Sequence, residues 1–259
     1  MTDQPQEFYI PERALVVVAH ADDIEFGMAG TITRWTDAGA IVTYCIITDN
    51  SAGSNEPGAD LAALVETRKL EQIASAKVCG VEDVRFLGHQ DGILQPTMEL
   101  RKEITRIIRE VRPQVVITLD PTTVFAIGNG YINHPDHRAA GEAAIYAVFP
   151  SAGTRPIFPE LLDEGYEPHN VDLLYLTINL ESQVVVDISE VIDRKAEALR
   201  CHKSQLGEEA ITMVRKWNEE AGKEHGYGYA ESFRVIDLRR PPAGNVAEPE
   251  AEETEQATS

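Results

Sequence analysis

The chain has 259 residues, 43% apolar and 25% charged, enough for one substantial α/β core without a second domain. Its 23 basic and 43 acidic residues give a formal charge of -20, which repels phosphate backbones and anionic lipid surfaces and argues against a nucleic-acid or membrane partner. No apolar run approaches the roughly 20 residues that cross a bilayer, and MTDQPQEFYIPER lacks the regions of a signal peptide, so a cytoplasmic protein is expected.

ALVVVA at 14–19 is short, apolar and β-branched, as suits a central strand buried on both faces. IVTYCIIT at 41–48 reads the same way, and the segment between them, with Gly27, Gly30 and a closing Asp37-Ala38-Gly39, has room for a helix. LAALVETRKLEQIASAKVCG follows as a helix with Leu70, Ile73 and Ala74 on one face and Gly80 as its stop. VRFLG at 84–88 is the next strand. Leu100, Ile104, Ile107, Ile108 and Val111 form one stripe of a helix over 97–112, ended by Pro113.

VVITL at 115–119 is a strand, and PDHRAAGEAAIYAV is a helix opened by Pro135, where a missing N–H costs nothing. LLYLTI at 173–178 and VVVDI at 184–188 are further strands. Asp187 or Ser189 can cap a helix through Ile192, Ala196 and Leu199, and a last helix carries Ala210, Val214 and Trp217. FRVIDL at 233–238 is expected as a final edge strand. Alternation of strand and helix gives an α/β fold, a Rossmann-like open and mostly parallel sheet with helices on both faces. Residues 1–240 form the expected single domain. The stretch 241–259, with five glutamates and no basic residue, reads as a disordered tail, or less simply as an acidic docking segment. Cys45, Cys79 and Cys201 are odd in number and widely spaced, so free thiols are expected.

Sites in such sheets lie at the carboxyl ends of the strands, where the loops 49–60 and 120–133 begin. There AHADDIEFG at 19–27 leaves the first strand, and a turn can aim His20 and Asp23 at one ion. Asp22, between them, is left free to accept a proton as a general base. In NHPDH at 133–137, His134 and His137 are three apart on a helical turn and share a face, so one could bind metal and the other serve the substrate. Two histidines, one aspartate and an open position describe a hydrolytic zinc site, though such a set also accepts iron or cobalt. Taken singly, each motif has a plainer reading: a satisfied loop histidine, or aspartates capping a helix. Together they supply a complete ligand set.

AHADDIEFGMAGT resembles the AHPDDxExGxGGT signature of the PIG-L/LmbE-like zinc-dependent deacetylases, and NHPDHRAAG resembles their H-P-D-H motif. ETRKLEQIASAKVCGV, GHQDGIL, HKSQL and ESFRV resemble further landmarks of that family, so the resemblance spans most of 14–238. It implies zinc on His20, Asp23 and His137, Asp22 as base, His134 as proton donor or oxyanion stabiliser, and Asp136 orienting His134. It also implies a substrate contact for Arg68, whose other reading is a surface pair with Glu71. One departure is Ala21, where the family usually has proline.

The resemblance implies hydrolysis of an N-acetyl or other N-acyl group from an amino sugar or sugar conjugate. Alternatives are a thiol-sugar conjugate amidase with the same site chemistry, and a noncatalytic sugar- or nucleotide-binding protein. Against the last, HADDIEFG stands where a dinucleotide binder has G-x-G-x-x-G. A homo-oligomer is an expectation of the resemblance alone. Asp120 either faces the site or caps the turn into Pro121. Trp217, Tyr227 and Tyr229 either stack on a sugar or, more simply, pack a terminal helix. For His202 and His225, structural or surface roles are the simpler reading.

Overall fold

The computed structural model describes residues 8–125, 131–178 and 182–239. The acidic stretch 241–259 lies outside them, so the expected tail and domain boundary are not addressed by the fold.

β1 (Arg13–Val18), β2 (Ile41–Thr48), β3 (Asp83–His89), β4 (Val115–Leu119), β5 (Leu173–Thr177), β6 (Val184–Asp187) and β7 (Ala230–Asp237) form one sheet in the order β3-β2-β1-β4-β5-β7-β6. The first five positions in that order are parallel, whereas β7 pairs antiparallel with both β5 and β6. The expected α/β class holds, with one correction: the segment at 233–238 is not an edge strand. It lies between β5 and β6, and the edge belongs to β6, whose half-exposed Val185 and Asp187 suit that place. β1 and β4 are buried along nearly their whole length, which is why they read as unbroken apolar runs.

The helices are α1 (Asp23–Gly27), α2 (Ala29–Asp37), α3 (Leu61–Val78), α4 (Met98–Val111), α5 (Pro135–Tyr146), α6 (Glu160–Asp163), α7 (Ile192–Arg200) and α8 (Glu208–Lys223). On α4 the expected stripe is the buried face. On α3 it is not: Leu70 is 61% exposed and Ala74 is exposed, while Arg68, Gln72, Ser75 and Ala76 are buried. This helix turns polar side chains inward because it packs on the turn after β1, where backbone and carboxylate groups need partners. Neither Asp187 nor Ser189 caps α7; Asp187 instead accepts from the Ser189 N–H and hydroxyl. The three cysteines are free, as expected.

Two features position the site. Strand order reverses about β1, with β2 on one side and β4 on the other, and a crevice opens where their carboxyl ends part. Residue 141 must be glycine: a Cβ there would meet the Leu119 carbonyl oxygen at 2.1 Å, so α5 lies close against the end of β4 and carries NHPDH to the crevice. Among the described residues no helix is long and apolar enough to cross a membrane.

Candidate metal centre and surrounding cavity

Both motifs converge at the crevice. The chain leaves β1 into a turn in which Asp22 takes a left-handed conformation, φ 87°, before α1 begins. Asp23 is fixed from within the turn, because its Oδ2 accepts the His20 backbone N–H at 2.8 Å. Its Oδ1 lies 3.0 Å from His137 Nε2. One ligand-capable atom from each of His20, Asp23 and His137 falls within 4.8 Å of the others, and none of the three side chains is more than 11% exposed.

The donor chemistry fits a metal ion. His137 Nδ1 lies 3.0 Å from Asn133 Oδ1, and the Asn133 amide donates to the Thr123 carbonyl, so the asparagine oxygen faces the ring as acceptor. That leaves the Nε2 lone pair turned toward Asp23, the tautomer a metal ligand needs. His20 Nε2 lies 3.0 Å from Asp91 Oδ1 and 3.4 Å from Asp136 Oδ2, the carboxylate backing common to ligand histidines. A second group, His20, His134 and Asp136, also meets the distance condition. It fits less well, because the Asp136 carboxylate already accepts from the Gly92 and Leu94 N–H groups.

Asp136 therefore differs from the expectation that it orients His134. Its carboxylate serves His20, and only its backbone N–H meets His134, donating to Nδ1 at 3.2 Å. The cause is position: Asp136 follows Pro135 in the first turn of α5, where its N–H is an orphan that the capping imidazole satisfies. His134 thereby keeps Nε2–H as its free donor.

Electrostatics follow the packing. Burial resists charging of His20, but hydrogen bonds with Asp136, Asp23 and Asp91 overcome it and lift the imidazole to about 12. Burial alone would raise Asp23, yet the imidazoles of His137 and His20, in their protonated form, hold it well below the usual carboxylate range, a pull that a bound cation would supply in place of neutral ligands. Asp22 is pushed up to about 7, by burial and then by the Asp23 charge, against the pull of Arg68 and His202. Burial, then the charge of His20, lowers His134.

Arg68 makes no surface pair with Glu71. It is buried, donating from Nη2 to the Ala21 carbonyl at 3.0 Å and lying 3.4 Å from Asp22 Oδ2. Glu71 is taken by the Ser204 N–H and hydroxyl. Asp120 caps its turn, accepting from the Thr122 N–H and hydroxyl.

Sequence reasoning assigned no role to four supporting residues. Asn50 Oδ1 accepts the Ala21 N–H at 2.7 Å, and Gln72 Oε1 accepts the Asp22 N–H at 3.0 Å. The Gln72 amide and the Ser75 hydroxyl donate to Glu25 Oε1, and Glu25 Oε2 lies 3.2 Å from His202 Nε2, an ion pair without good hydrogen-bond alignment. A continuous buried chain, His202–Glu25–Gln72, thus ends on the backbone of Asp22. Asp91 is the fourth, behind His20. Glu25, Gln72 and Asp91 lay inside the motifs HADDIEFG, ETRKLEQIASAKVCGV and GHQDGIL; Asn50 carried no local signal.

The cluster opens into a cavity of about 880 Å³, which His20, Asp22, Asp23, Arg68, His134 and His137 all line. Ala52, Gly53 and Tyr131 line it too, so both long loops rim the site as expected. Trp217 is on this cavity, 40% exposed, whereas Tyr229 packs against the core.

The PIG-L model, described as GlcNAc-PI de-N-acetylase, matches residues 15–148. The chain is 33% identical over 229 residues to diacetylchitobiose deacetylase of Thermococcus kodakarensis, covering 87% of this chain and 83% of the relative. It is 31% identical over 269 residues to 1D-myo-inositol 2-acetamido-2-deoxy-alpha-D-glucopyranoside deacetylase of Actinosynnema mirum, covering 86% and 87%. Among solved structures, N,N'-diacetylchitobiose deacetylase from Pyrococcus horikoshii superposes with a TM-score of 0.81 at 29% identity, covering 88% of this chain and 84% of that one. The family match takes in both motifs that meet at the crevice, and the relatives extend the likeness to most of the chain: the chain belongs to the PIG-L family.

Proposed function

We propose that the protein is a metal-dependent hydrolase that removes the N-acetyl group from an amino sugar or its conjugate, with zinc held by His20, Asp23 and His137. The carrying observation is that a second carboxylate and a third imidazole, Asp22 and His134, line the same cavity as that His2Asp cluster. The names of the relatives support the same reaction, since each is a deacetylase of an N-acetylated amino sugar.

A bound cation supplies Lewis acidity to the acyl oxygen and to water. Asp22, fixed through its own N–H by Gln72, accepts a proton from the attacking water. His134, its Nδ1 occupied by the Asp136 N–H, offers Nε2–H to the oxygen on which negative charge develops. As the C–N bond breaks, the proton held by Asp22 passes to the departing amine, which balances the step. Asp136 and Asp91 hold the His20 ring, and Arg68 offers its remaining N–H groups to substrate beside Asp22.

The test is acetate release from an N-acetylglucosamine oligosaccharide by the zinc-loaded protein, with metal content measured in parallel. Asp22→Ala is expected to keep its zinc and lose about 10²–10⁴ in kcat, and His137→Ala to lose both. Wild-type turnover in Asp22→Ala, or a wild-type protein that takes up no stoichiometric metal, would overturn the reading.

A further inference from the structure

The cavity is larger than the chemistry at its base requires. Its volume of about 880 Å³ lies toward the upper end of the roughly 300–1,000 Å³ typical of ligand sites, and much of the remaining wall is made by one helix. Along α8, Met213, Trp217 and Ala221 recur every four residues and all line the cavity. The helix is anchored by the adjoining face, that of Ile211, Val214, Asn218 and Gly222, of which Asn218 alone also lines the cavity, so the stripe is not the face that holds α8 to the body of the protein. Met213 and Trp217 are 39% and 40% exposed, a pair of large apolar side chains left against open space beside a polar site.

Charge narrows what this wall can accept. Among the described residues lining the cavity, α8 and β7 contribute no basic side chain; Glu231 is there, already paired with the buried Lys195 at 2.6 Å. The fixed cation of the lining, Arg68, lies away from this wall on α3, against Asp22. Ile178 lines the cavity from the end of β5 and holds φ 55°, a conformation a β-branched residue adopts only when its surroundings impose it. Apart from Asn218, Glu231 and Ser232 the wall that α8 and β7 present is apolar; it carries one aromatic face and no cationic side chain to pair with an anion.

We infer that Trp217 and Met213 form a recognition subsite for the part of the substrate beyond the N-acetylated ring, and that this part is an uncharged ring laid on the indole face. The inference rests on the deacetylase reading for which end of the substrate reaches the metal cluster. It adds what the wall selects: a neutral ring over a carboxylate- or phosphate-bearing group, which would lose its hydration without gaining a counter-charge.

The experiment uses the full-length zinc-loaded protein and three probes: N-acetylglucosamine, N,N'-diacetylchitobiose, and a two-ring analogue whose second ring carries a carboxylate. The readout is the ratio of kcat/KM between two-ring and one-ring substrates. Trp217→Ala is expected to lower the wild-type preference for the neutral two-ring substrate about tenfold, the size of a lost aromatic stacking contact, with the change in KM. Trp217→Phe is expected to retain most of it, and the carboxylated analogue to fall well below the neutral one in the wild type. An unchanged ratio in folded Trp217→Ala, or equal use of the charged and neutral analogues, overturns the inference.

Binding separates the two readings. Trp35 is fully buried, so quenching of tryptophan fluorescence by the two-ring probe reports on Trp217. If no probe releases acetate, the deacetylase reading fails by itself. Quenching by the neutral two-ring probe, stronger than by the charged one, would then still support the subsite, and its absence would overturn it.

Discussion

The backbone N–H of Ala21 donates to Asn50 Oδ1 across 2.7 Å, and both residues are fully buried. The family signature usually has proline at this place, and proline has no N–H to give. In this chain the turn before Asp22 is held by a hydrogen bond from the second strand's loop rather than by a ring.

Ala21→Pro is accordingly expected to destabilise the protein. A buried acceptor left unpaired costs about 1–3 kcal/mol, and the entropy gained from proline returns about 0.4–1 kcal/mol. The net expectation is a loss of roughly 1 kcal/mol, read as a lower midpoint in urea unfolding; a raised midpoint would show that Asn50 finds another donor.

Asn133→Ala removes the carbonyl that sets the His137 tautomer while leaving every proposed metal ligand in place. The expected result is a metal affinity about 10–100 times weaker, measured by competition with a chelator. Unaltered affinity would mean that the ring is oriented by packing alone.

How much of this was legible beforehand follows from how far apart the partners lie in the chain. HADDIEFG and NHPDH are compact, and each leaves its mark in a single stretch. The tautomer of His137 is equally local, since Asn133 is one helical turn away. Asn50 and Gln72 reach the same turn from 29 and 50 residues downstream; nothing around Asn50 marks it, and the helix motif that contains Gln72 does not say which backbone group it meets. The buried face of α3 misled for a related reason. Periodicity assumes that apolar residues go inward, whereas this helix packs on a polar turn and leaves Leu70 outside. Strand order was out of reach altogether, because the alternation in FRVIDL describes its two faces and not its neighbours.

Lys195 and Glu231 are both wholly buried, and Glu231 also accepts from the Gly30 N–H, the Thr31 N–H and the Thr31 hydroxyl. Lys195→Met leaves a carboxylate without its counter-charge, so about 3–5 kcal/mol of stability should be lost. Adding Glu231→Gln removes the stranded charge and keeps an acceptor for one backbone N–H, and the double variant should recover a large part of the loss. Equal unfolding midpoints for the single and double variants would refute this account.

His202 predicts a pH dependence of stability. Burial opposes its protonation, but the charge of Glu25, the contact with it, and then Asp22 raise its pKa above the ordinary 6.5. A group raised on folding contributes its full stability below the unfolded value and loses it as pH climbs through the folded one. The thermal midpoint of the wild type should therefore fall as pH rises above about 6.5, and His202→Gln should flatten that part of the profile. An identical slope in both proteins would assign the dependence to other groups.

The grip of Glu231 on Gly30 and Thr31 ties residues two hundred positions apart into one cooperative unit. Exchange of those two amides with solvent deuterium then depends on β7 staying in place between β5 and β6. Loosening the last strands would unclasp the start of the second helix, and with it the ground on which the turn after β1 stands.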